Sequence, residues 1–261
     1  MVEAAYRHHG LDARYINCDV AAEALGDAVR GALAMGWAGF NCSIPHKVAV
    51  LAHLDGLAPS AELIGAVNCV VVQDGELIGE NTDGQGFLAS LRTLIDPSGL
   101  QLVLFGAGGA ARAIAVESAL AGVASVTVVN RDHDRGAELV QLLRRHTPAS
   151  AELVVWDRPY RLPESASVVV NATSIGLAPN VDARLQIELD SLAPQMVVAD
   201  VIPNPPHTAL LRDAQAKGCV TLDGLGMLVN QALLGIEHWT GIAAEPTVMR
   251  TALEDALNGR Q

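Results

Sequence analysis

The chain has 261 residues, of which 50% are hydrophobic and only 3% aromatic, so one large or two small domains can bury a sizeable aliphatic core. A formal net charge of −12 without any basic patch argues against a nucleic-acid partner or an anionic membrane surface. No apolar run approaches the roughly 18 residues that span a bilayer, and no signal-peptide pattern is visible, so we expect a cytoplasmic protein with no membrane partner.

The first hundred residues predict a mixed α/β domain. The predicted elements are a strand at Arg14–Asp19, a helix at Ala22–Met35, a strand at Gly39–Ser43, and a hairpin of Ala66–Val72 with Leu77–Glu80 around Asp74-Gly75. The turn-forming segment Asp96-Pro97-Ser98-Gly99 predicts a linker. We therefore expect a substrate-binding and catalytic domain over residues 1–97.

From Gln101 onward, short Val-rich runs alternate with helical stretches. The runs are Leu102–Phe105, Val126–Val129, Leu153–Trp156, Val168–Val170, Val197–Val201 and Val220–Leu222. Buried parallel strands joined by helices have this pattern, which predicts six βα units in a doubly wound, Rossmann-type domain over residues 98–227. Two further helices, at about Leu228–Trp239 and Pro246–Asn258, are predicted to join the first domain through residues 228–261.

A glycine-rich loop follows the first of these runs. The G-x-G-x-x-A pattern of Gly106 to Ala111 lies between a strand and the Ala-rich helix Ala110–Leu120. Glycines there allow a tight turn and a close approach to a pyrophosphate, which the helix N-terminus attracts. The loop predicts dinucleotide binding, although a glycine-rich turn without a ligand is the alternative.

The end of the next run bears on which dinucleotide is bound. An NAD enzyme usually carries Asp or Glu there for the ribose hydroxyls, whereas this chain has Asn130 followed by Arg131 and Arg135. Guanidinium groups suit a 2′-phosphate, so NADP is predicted. Asp132 is either a simple helix cap or, with Asp134, a source of repulsion that keeps NAD possible.

Three segments of the first region, and one after the nucleotide domain, are unusually polar. They are Asn41-Cys42-Ser43-Ile44-Pro45-His46-Lys47, Gly65-Ala66-Val67-Asn68-Cys69, Gly79-Glu80-Asn81-Thr82-Asp83-Gly84 and Met227-Leu228-Val229-Asn230-Gln231. The four cysteines form no CxxC pair and the eight histidines show no metal-ligand spacing, so no metal site is predicted.

These segments resemble the motifs of the shikimate/quinate dehydrogenase family. The family reads approximately N-V-T-x-P-x-K, G-A-V-N-T, N-T-D-G, G-A-G-G-A-A-R, N-R-T-x-x-R, N-A-T-x-x-G and G-M-L-x-x-Q. All are recognisable here in that order, the sixth as Asn171-Ala172-Thr173-Ser174-Ile175-Gly176. The resemblance covers nearly the whole chain. It implies an NADP-dependent, reversible oxidation of shikimate to 3-dehydroshikimate, in the chorismate pathway of aromatic amino-acid biosynthesis.

The resemblance also implies a role for each matching residue. Lys47 and Asp83 are the implied catalytic pair. The implied substrate-binding residues are Asn41, Ser43, Asn68 and Gln231. The implied cofactor-binding residues are Gly106, Gly108, Gly109, Ala110, Ala111, Asn130, Arg131, Arg135, Thr173, Gly224 and Met227. The chemistry agrees, because a lysine held by a carboxylate can relay a proton or polarise a carbonyl while the cofactor carries the hydride.

The sequence departs from the family at positions that concern the substrate carboxylate. Family members carry a strand and an S-x-S loop before the helix that Val2–His9 matches, and their D-x-x-Y-N-P has Pro203 here in place of tyrosine. The motif threonines are Ser43 and Cys69. We expect the functional protein to carry a further N-terminal strand, of about twenty residues with its loop, lying between Arg14–Asp19 and Gly39–Ser43.

Several alternatives therefore stay open. The substrate could be quinate or another hydroxylated ring acid, with NAD or NADP. A methylenetetrahydrofolate dehydrogenase-like enzyme shares the architecture. A nucleotide-binding regulator without catalysis is the alternative from a different class. We expect a small-molecule partner and a monomer or homodimer.

Overall fold

The computed structural model describes residues 1–43 and 45–259, and the chain divides into two compact units. The first unit contains Met1–Gly86 and the chain from Val229 onward, and the second contains Phe87–Leu228. The division falls upstream of the predicted boundary at residues 97 and 98. Residues after Gly86 pack within the second unit, where a Cβ added to Gly226 would lie 2.7 Å from the Ser90 hydroxyl oxygen.

The first unit combines helices with a small sheet. Its helices are α1 (Val2–His8), α2 (Leu25–Ala34), α3 (His46–Ala49) and α4 (Pro59–Ile64), and its strands are β1 (Gly39–Asn41), β2 (Gly56–Leu57), β3 (Cys69–Gln73) and β4 (Glu76–Glu80). Short 3-10 helices precede α2 at Ala22–Ala24 and follow α3 at Val50–His53. Helix α5 (Thr82–Arg92) begins in this unit, and the chain returns to it through α9 (Gly224–Thr240) and α10 (Pro246–Leu257).

The sheet of the first unit has the order β1-β3-β4-β2, in which only β2 and β4 are parallel. The predicted hairpin is confirmed, although its first strand begins at Cys69 and not at Ala66. Asp74 and Gly75 form its turn with φ of 52° and 85°, the left-handed backbone that two-residue hairpins favour. Pairing of β1 with β3 places Asn41 opposite Cys69, so the ends of two polar segments meet at one edge of the sheet.

Two apolar clusters hold this unit together. One joins the sheet to α2 and α4 and contains Leu25, Val29, Cys42, Val50, Ala61, Val67, Val70 and Leu77. The other joins α1, α9 and α10 and contains Val2, Ala5, Tyr6, Val229, Ala232, Ile236, Ala244 and Met249. The C-terminal helices thus share a core with the first residues of the chain.

The prediction of a strand at Arg14–Asp19 is wrong, because this segment belongs to no strand. A strand exists only when a neighbour completes its hydrogen bonds, and within the described part of the chain none is paired with these residues. The segment is largely exposed, and the Ile16 side chain is 60% accessible. The predicted strand at Gly39–Ser43 is shorter than expected and ends at Asn41.

The second unit is built on a parallel sheet with the order β10-β9-β8-β5-β6-β7. Its strands are β5 (Gln101–Phe105), β6 (Ser125–Asn130), β7 (Ser150–Val155), β8 (Val168–Asn171), β9 (Val197–Asp200) and β10 (Val220–Leu222). Its helices are α6 (Gly109–Leu120), α7 (His133–His146) and α8 (Ala209–Ala216), with a 3-10 helix at Leu189–Ser191. The predicted doubly wound, Rossmann-type domain is confirmed.

Two details of that prediction are wrong. An α-helix is the next element after β5, β6, β9 and β10, whereas the segments that follow β7 and β8 contain no α-helix, so six complete βα units do not form in the described chain. Those segments carry Pro159, Pro163, Pro179 and Pro194, which disfavour helix interiors. Strand β7 also begins earlier than predicted and ends before Trp156, because it pairs with the whole of β6.

None of the described helices is both long and apolar enough to cross a membrane.

Candidate active site

The centre of the candidate site is an ion pair within the first unit. Lys47 lies on α3, directly after the polar turn that follows β1, and Asp83 lies in the first turn of α5. Lys47 Nζ is 2.6 Å from Asp83 Oδ2, and the two side chains are 25% and 10% exposed. A carboxylate in the first turn of a helix is favoured by the helix dipole. The pair is thus shielded, yet part of its lysine stays accessible.

Asn68, which precedes β3, is buried and orders the residues around this pair. Its Nδ2 lies 3.0 Å from Asp83 Oδ1, 3.0 Å from Thr82 Oγ1 and 3.2 Å from Gln231 Oε1. Its Oδ1 accepts a 2.7 Å hydrogen bond from the Thr82 backbone N–H. These contacts fix which end of the amide faces Asp83, so the carboxylate is held from both sides.

Asn41 extends this arrangement at the end of β1. Its Nδ2 donates to the Asn68 carbonyl oxygen over 2.9 Å, and its Oδ1 accepts from the Tyr15 hydroxyl over 2.8 Å. Ser43 lies two residues further along and is exposed. A chain of hydrogen bonds therefore runs from Tyr15 through Asn41 and Asn68 to Asp83 and Lys47.

The structure brings together most of the residues predicted for substrate and catalysis. Lys47, Asp83, Asn68, Gln231 and Asn41 belong to one hydrogen-bonded cluster, which we call the Lys47 cluster. Sequence reasoning missed two members, Tyr15 and Thr82. Thr82 stands beside Asp83 in the N-T-D segment and could have been noticed, whereas no sequence signal marked Tyr15.

The glycine loop of the second unit fits the pyrophosphate of a dinucleotide. Gly106 has φ of +107°, and a Cβ there would lie 3.0 Å from the Ala172 carbonyl oxygen, so only glycine suits this position. Gly108 is the N-cap of α6 and makes no side-chain cap hydrogen bond. A Cβ on Gly108 or Gly109 would meet open space. The start of α6 is therefore open to an anionic group.

Four further predicted cofactor residues lie in the first turns of two helices. Ala110 is half-buried and Ala111 fully buried at the start of α6, and Met227 is buried near the start of α9. Gly224 begins α9, where a Cβ would lie 2.5 Å from the Ile202 carbonyl oxygen. Apart from Met227, these positions carry small side chains, and Gly224 also lies close to neighbouring backbone.

In the segment after β6, the Asp132 carboxylate is engaged by backbone N–H groups and by one of the two predicted arginines. Asp132 is the N-cap of α7, and its Oδ1 accepts from the backbone N–H groups of Asp134 and Arg135 over 3.0 and 3.1 Å. Its Oδ2 lies 3.7 Å from Arg135 Nε. Arg131 is exposed, and the Asn130 amide donates to the Asp132 carbonyl oxygen. The prediction that Asp132 caps a helix is confirmed, and its carboxylate is already engaged by two backbone N–H groups and by Arg135.

Thr173, the last of the predicted cofactor residues, lies in a network of buried polar groups. Its hydroxyl donates to Asn171 Oδ1 over 2.7 Å, and Asn171 in turn donates to the Asp200 carboxylate. Burial raises the pKa of the Asp200 carboxyl to about 6, although hydrogen bonds from Thr208, Asn171 and Ile202 oppose that rise. Neither Asn171 nor Asp200 was selected from the sequence.

The described residues form neither a candidate metal site nor an activated cysteine nucleophile. Within 1–43 and 45–259, no group of three or more His, Cys, Asp or Glu residues is placed to hold a metal ion. Cys42 and Cys69 lie near the Lys47 cluster, but both are buried. Burial raises the pKa of Cys42 to about 11 and also raises that of Cys69, so neither thiol is activated as a nucleophile.

Known proteins match this chain over almost its full length. Residues 1–70 match the shikimate dehydrogenase substrate binding domain, and residues 224–254 match the shikimate 5'-dehydrogenase C-terminal domain. A shikimate dehydrogenase (NADP(+)) of Rhodospirillum rubrum is 43% identical over 257 residues, covering 97% of this chain and 89% of the relative.

Solved structures show the same architecture. A ligand-free 5-ketofructose reductase of Gluconobacter sp. strain CHM43 is 58% identical with a TM-score of 0.94, covering 98% of this chain and 92% of that one. The shikimate 5-dehydrogenase of Thermus thermophilus, in complex with NADP(H) and shikimate, is 35% identical with a TM-score of 0.86 and the same coverage of both chains. The chain therefore belongs to the shikimate dehydrogenase family of oxidoreductases.

Proposed function

We propose that this chain catalyses NADP-linked, reversible hydride transfer between a secondary alcohol and a ketone of a hydroxylated ring compound. The first candidate pair is shikimate and 3-dehydroshikimate. The observation that carries the proposal is the Lys47–Asp83 ion pair, held at 2.6 Å within a cluster of amides and a hydroxyl. Such a cluster offers hydrogen bonds to several ring hydroxyls beside one group that can move a proton.

The nicotinamide of NADP supplies or accepts the hydride. In the direction of ketone reduction, the Lys47 ammonium donates a hydrogen bond to the carbonyl oxygen and then the proton that makes it a hydroxyl. Asp83 keeps Lys47 in place and stabilises its charge. Asn68 holds the other Asp83 oxygen, so the carboxylate keeps one orientation while the lysine changes its protonation state.

The second unit supports NADP as the cofactor. The start of α6 offers backbone N–H groups without a capping side chain, which fits the pyrophosphate. Arg131 is exposed beside the end of β6, and Asp132 is occupied as the cap of α7. A 2′-phosphate near Arg131 would thus meet a guanidinium, while the neighbouring carboxylate is partly neutralised by backbone donors and Arg135.

A second candidate substrate is 5-ketofructose, a neutral polyhydroxylated ketone. The observation that favours it is the 58% identity to the Gluconobacter reductase, against 43% to the Rhodospirillum shikimate dehydrogenase. Pro203 also favours a neutral substrate. It replaces a tyrosine of the family pattern, whose hydroxyl is expected to bind the substrate carboxylate. A neutral substrate does not need that donor.

A steady-state assay with a complete substrate panel tests both candidates. The wild-type chain is mixed with shikimate, quinate, 3-dehydroshikimate or 5-ketofructose, each with NADP(H) and with NAD(H), and the absorbance of the reduced nicotinamide is followed. Turnover of shikimate and 3-dehydroshikimate with NADP(H) supports the first candidate. Reduction of 5-ketofructose alone supports the second, and no turnover with any pair contradicts the proposed function.

We also propose a cytoplasmic enzyme that is a monomer or homodimer. All four cysteines are free thiols, which suits a reducing compartment. Light scattering of the purified chain gives its mass in solution and tests the oligomeric state.

A further inference from the structure

Asp200 is a buried carboxylate at the carboxyl end of β9, with an exposed fraction of 2%. It accepts hydrogen bonds from Thr208 Oγ1 over 2.7 Å and from the Ile202 backbone N–H over 3.1 Å. Asn171 Nδ2, at the end of the adjacent β8, lies 3.1 Å from each carboxylate oxygen. An ionised carboxylate only accepts hydrogen bonds, so Asn171 must present its N–H side to it.

This constraint holds the whole Asn171 amide in one direction, together with the Ile175 carbonyl oxygen, which accepts from Asn171 Nδ2 over 3.2 Å. With Nδ2 facing Asp200, the amide oxygen faces the other way, toward Thr173. There it accepts from the Thr173 backbone N–H over 3.1 Å and from the Thr173 hydroxyl over 2.7 Å. A reversed amide would place an NH₂ group against the Thr173 backbone N–H, and both hydrogen bonds would be lost or weakened.

Thr173 in turn lies against the glycine loop. An ideal Cβ built on Gly106 would be 3.0 Å from the Ala172 carbonyl oxygen and 3.2 Å from Thr173 Cγ2. The Thr173 hydroxyl also accepts from the Ile175 backbone N–H over 3.1 Å, so the side chain has a single fixed rotamer. A shift of Thr173 would therefore reach the loop that is open to the pyrophosphate.

We infer that Asp200 is a positioning residue for the dinucleotide, acting through the Asn171 amide to hold Thr173 against the glycine loop. This inference rests on the proposed NADP-linked function. Asp200 itself need not touch the cofactor. Its contribution is to anchor the Asn171 Nδ2 group with two acceptor oxygens at 3.1 Å, in the orientation that the Ile175 carbonyl oxygen also favours, so that the nucleotide meets a loop that is already in place.

The substitution Asp200→Asn tests this role with little change of volume. An asparagine offers at most one acceptor oxygen to Asn171 Nδ2 where the carboxylate offers two, so it holds that amide less firmly. NADPH affinity is measured by titration of its fluorescence, and the dissociation constant is expected to rise about tenfold. Thr208→Val is the matched control, because it removes a different donor to the same carboxylate. It should lower the melting temperature and leave NADPH affinity unchanged.

A double-mutant cycle with Thr173→Val separates positioning from general damage. If Asp200 acts through Thr173, the double variant binds NADPH no more weakly than the weaker single variant. Multiplied losses, or an unchanged dissociation constant in Asp200→Asn, would overturn the inference. If Asp200→Asn does not fold, the two Thr173 variants are compared instead. Thr173→Val is expected to weaken NADPH binding, and Thr173→Ser, which keeps the hydroxyl, is not. Equal NADPH affinities of these two variants would overturn the inference. If the wild-type chain binds no NADPH, that result contradicts the proposed function and therefore also the inference.

Discussion

The Tyr15 hydroxyl donates a 2.8 Å hydrogen bond to Asn41 Oδ1, and so reaches the Lys47 cluster from a segment with no regular secondary structure. The Tyr15 ring lies 6.0 Å from that of Trp239, and burial raises the pKa of its phenol. The hydroxyl thus stays protonated at neutral pH and acts only as a hydrogen-bonding group. Asn41 Nδ2 donates to the Asn68 carbonyl oxygen, and Asn41 Oδ1 accepts from Tyr15. Tyr15 and Asn68 therefore fix together the orientation in which Asn41 would meet a substrate hydroxyl.

We predict that Tyr15→Phe raises the KM for the ring substrate several-fold and leaves kcat within about twofold, because one hydrogen bond to Asn41 is lost while the Lys47–Asp83 pair stays intact. Steady-state kinetics at saturating NADPH measures the two constants separately. Tyr6→Phe is the matched control, since Tyr6 lies in the apolar cluster of α1, α9 and α10. An equal rise in KM for both variants would contradict the role given to Tyr15.

Lys47→Ala should lower turnover by about 10²–10⁴-fold, the range typical of a lost general acid or base. The dissociation constant for NADPH should change little, because Lys47 and the glycine loop belong to different units. Stopped-flow or steady-state rates and NADPH fluorescence titration provide the two measurements. Lys217→Ala serves as the control, since Lys217 pairs with the exposed Asp190 in the second unit. Undiminished turnover in Lys47→Ala would remove Lys47 from the mechanism.

The parts of the fold that follow from local sequence were predicted, and the parts that depend on distant partners were not. The Val-rich runs from Leu102 to Leu222 became the parallel sheet, because a strand buried on both faces must be apolar throughout. The segment Arg14–Asp19 has an apolar content that suits a strand, yet nothing within it says which strand would pair with it. The prediction of a strand failed there because strand formation depends on pairing with a distant segment of the chain.

The same distinction applies to the site. Lys47 and Asp83 lie in polar segments that stand out locally, and the structure joins them across 36 residues of sequence. Asp200 was not selected, because an aspartate at the end of a strand is common. Its importance depends on Asn171, which lies 29 residues away and in the neighbouring strand. Only the strand order reveals that pairing.

Arg131→Ala should weaken NADPH binding by about 10–100-fold and NADH binding hardly at all, because only NADPH offers a 2′-phosphate for a charge-assisted hydrogen bond. Dissociation constants for both nucleotides are measured by fluorescence. Arg145→Ala is a suitable control, since it removes another exposed arginine near the opposite end of α7. Equal losses for the two nucleotides would show that Arg131 does not read the phosphate.

Asp200 gives the chain a specific dependence of stability on pH. Burial raises the pKa of this carboxyl from 3.8 to about 6, so folding favours its neutral form. That stabilising contribution is fully present below pH 3.8 and is lost as the pH rises through about 6. At about 1.4 kcal/mol per pH unit, the loss over this window is about 3 kcal/mol in the free energy of unfolding.

Urea unfolding of the wild type and Asp200→Asn between about pH 4 and about pH 7.5 isolates this effect, because all other titrating groups are common to both chains. Relative to the variant, the wild type should lose stability as the pH rises and reach a constant difference above about pH 7. The neutral asparagine occupies the same buried position at every pH, so its own contribution stays level. A difference between the two chains that does not change with pH would show that Asp200 has an ordinary pKa. Its hydrogen bonds from Thr208, Asn171 and Ile202 would then have offset the whole effect of burial.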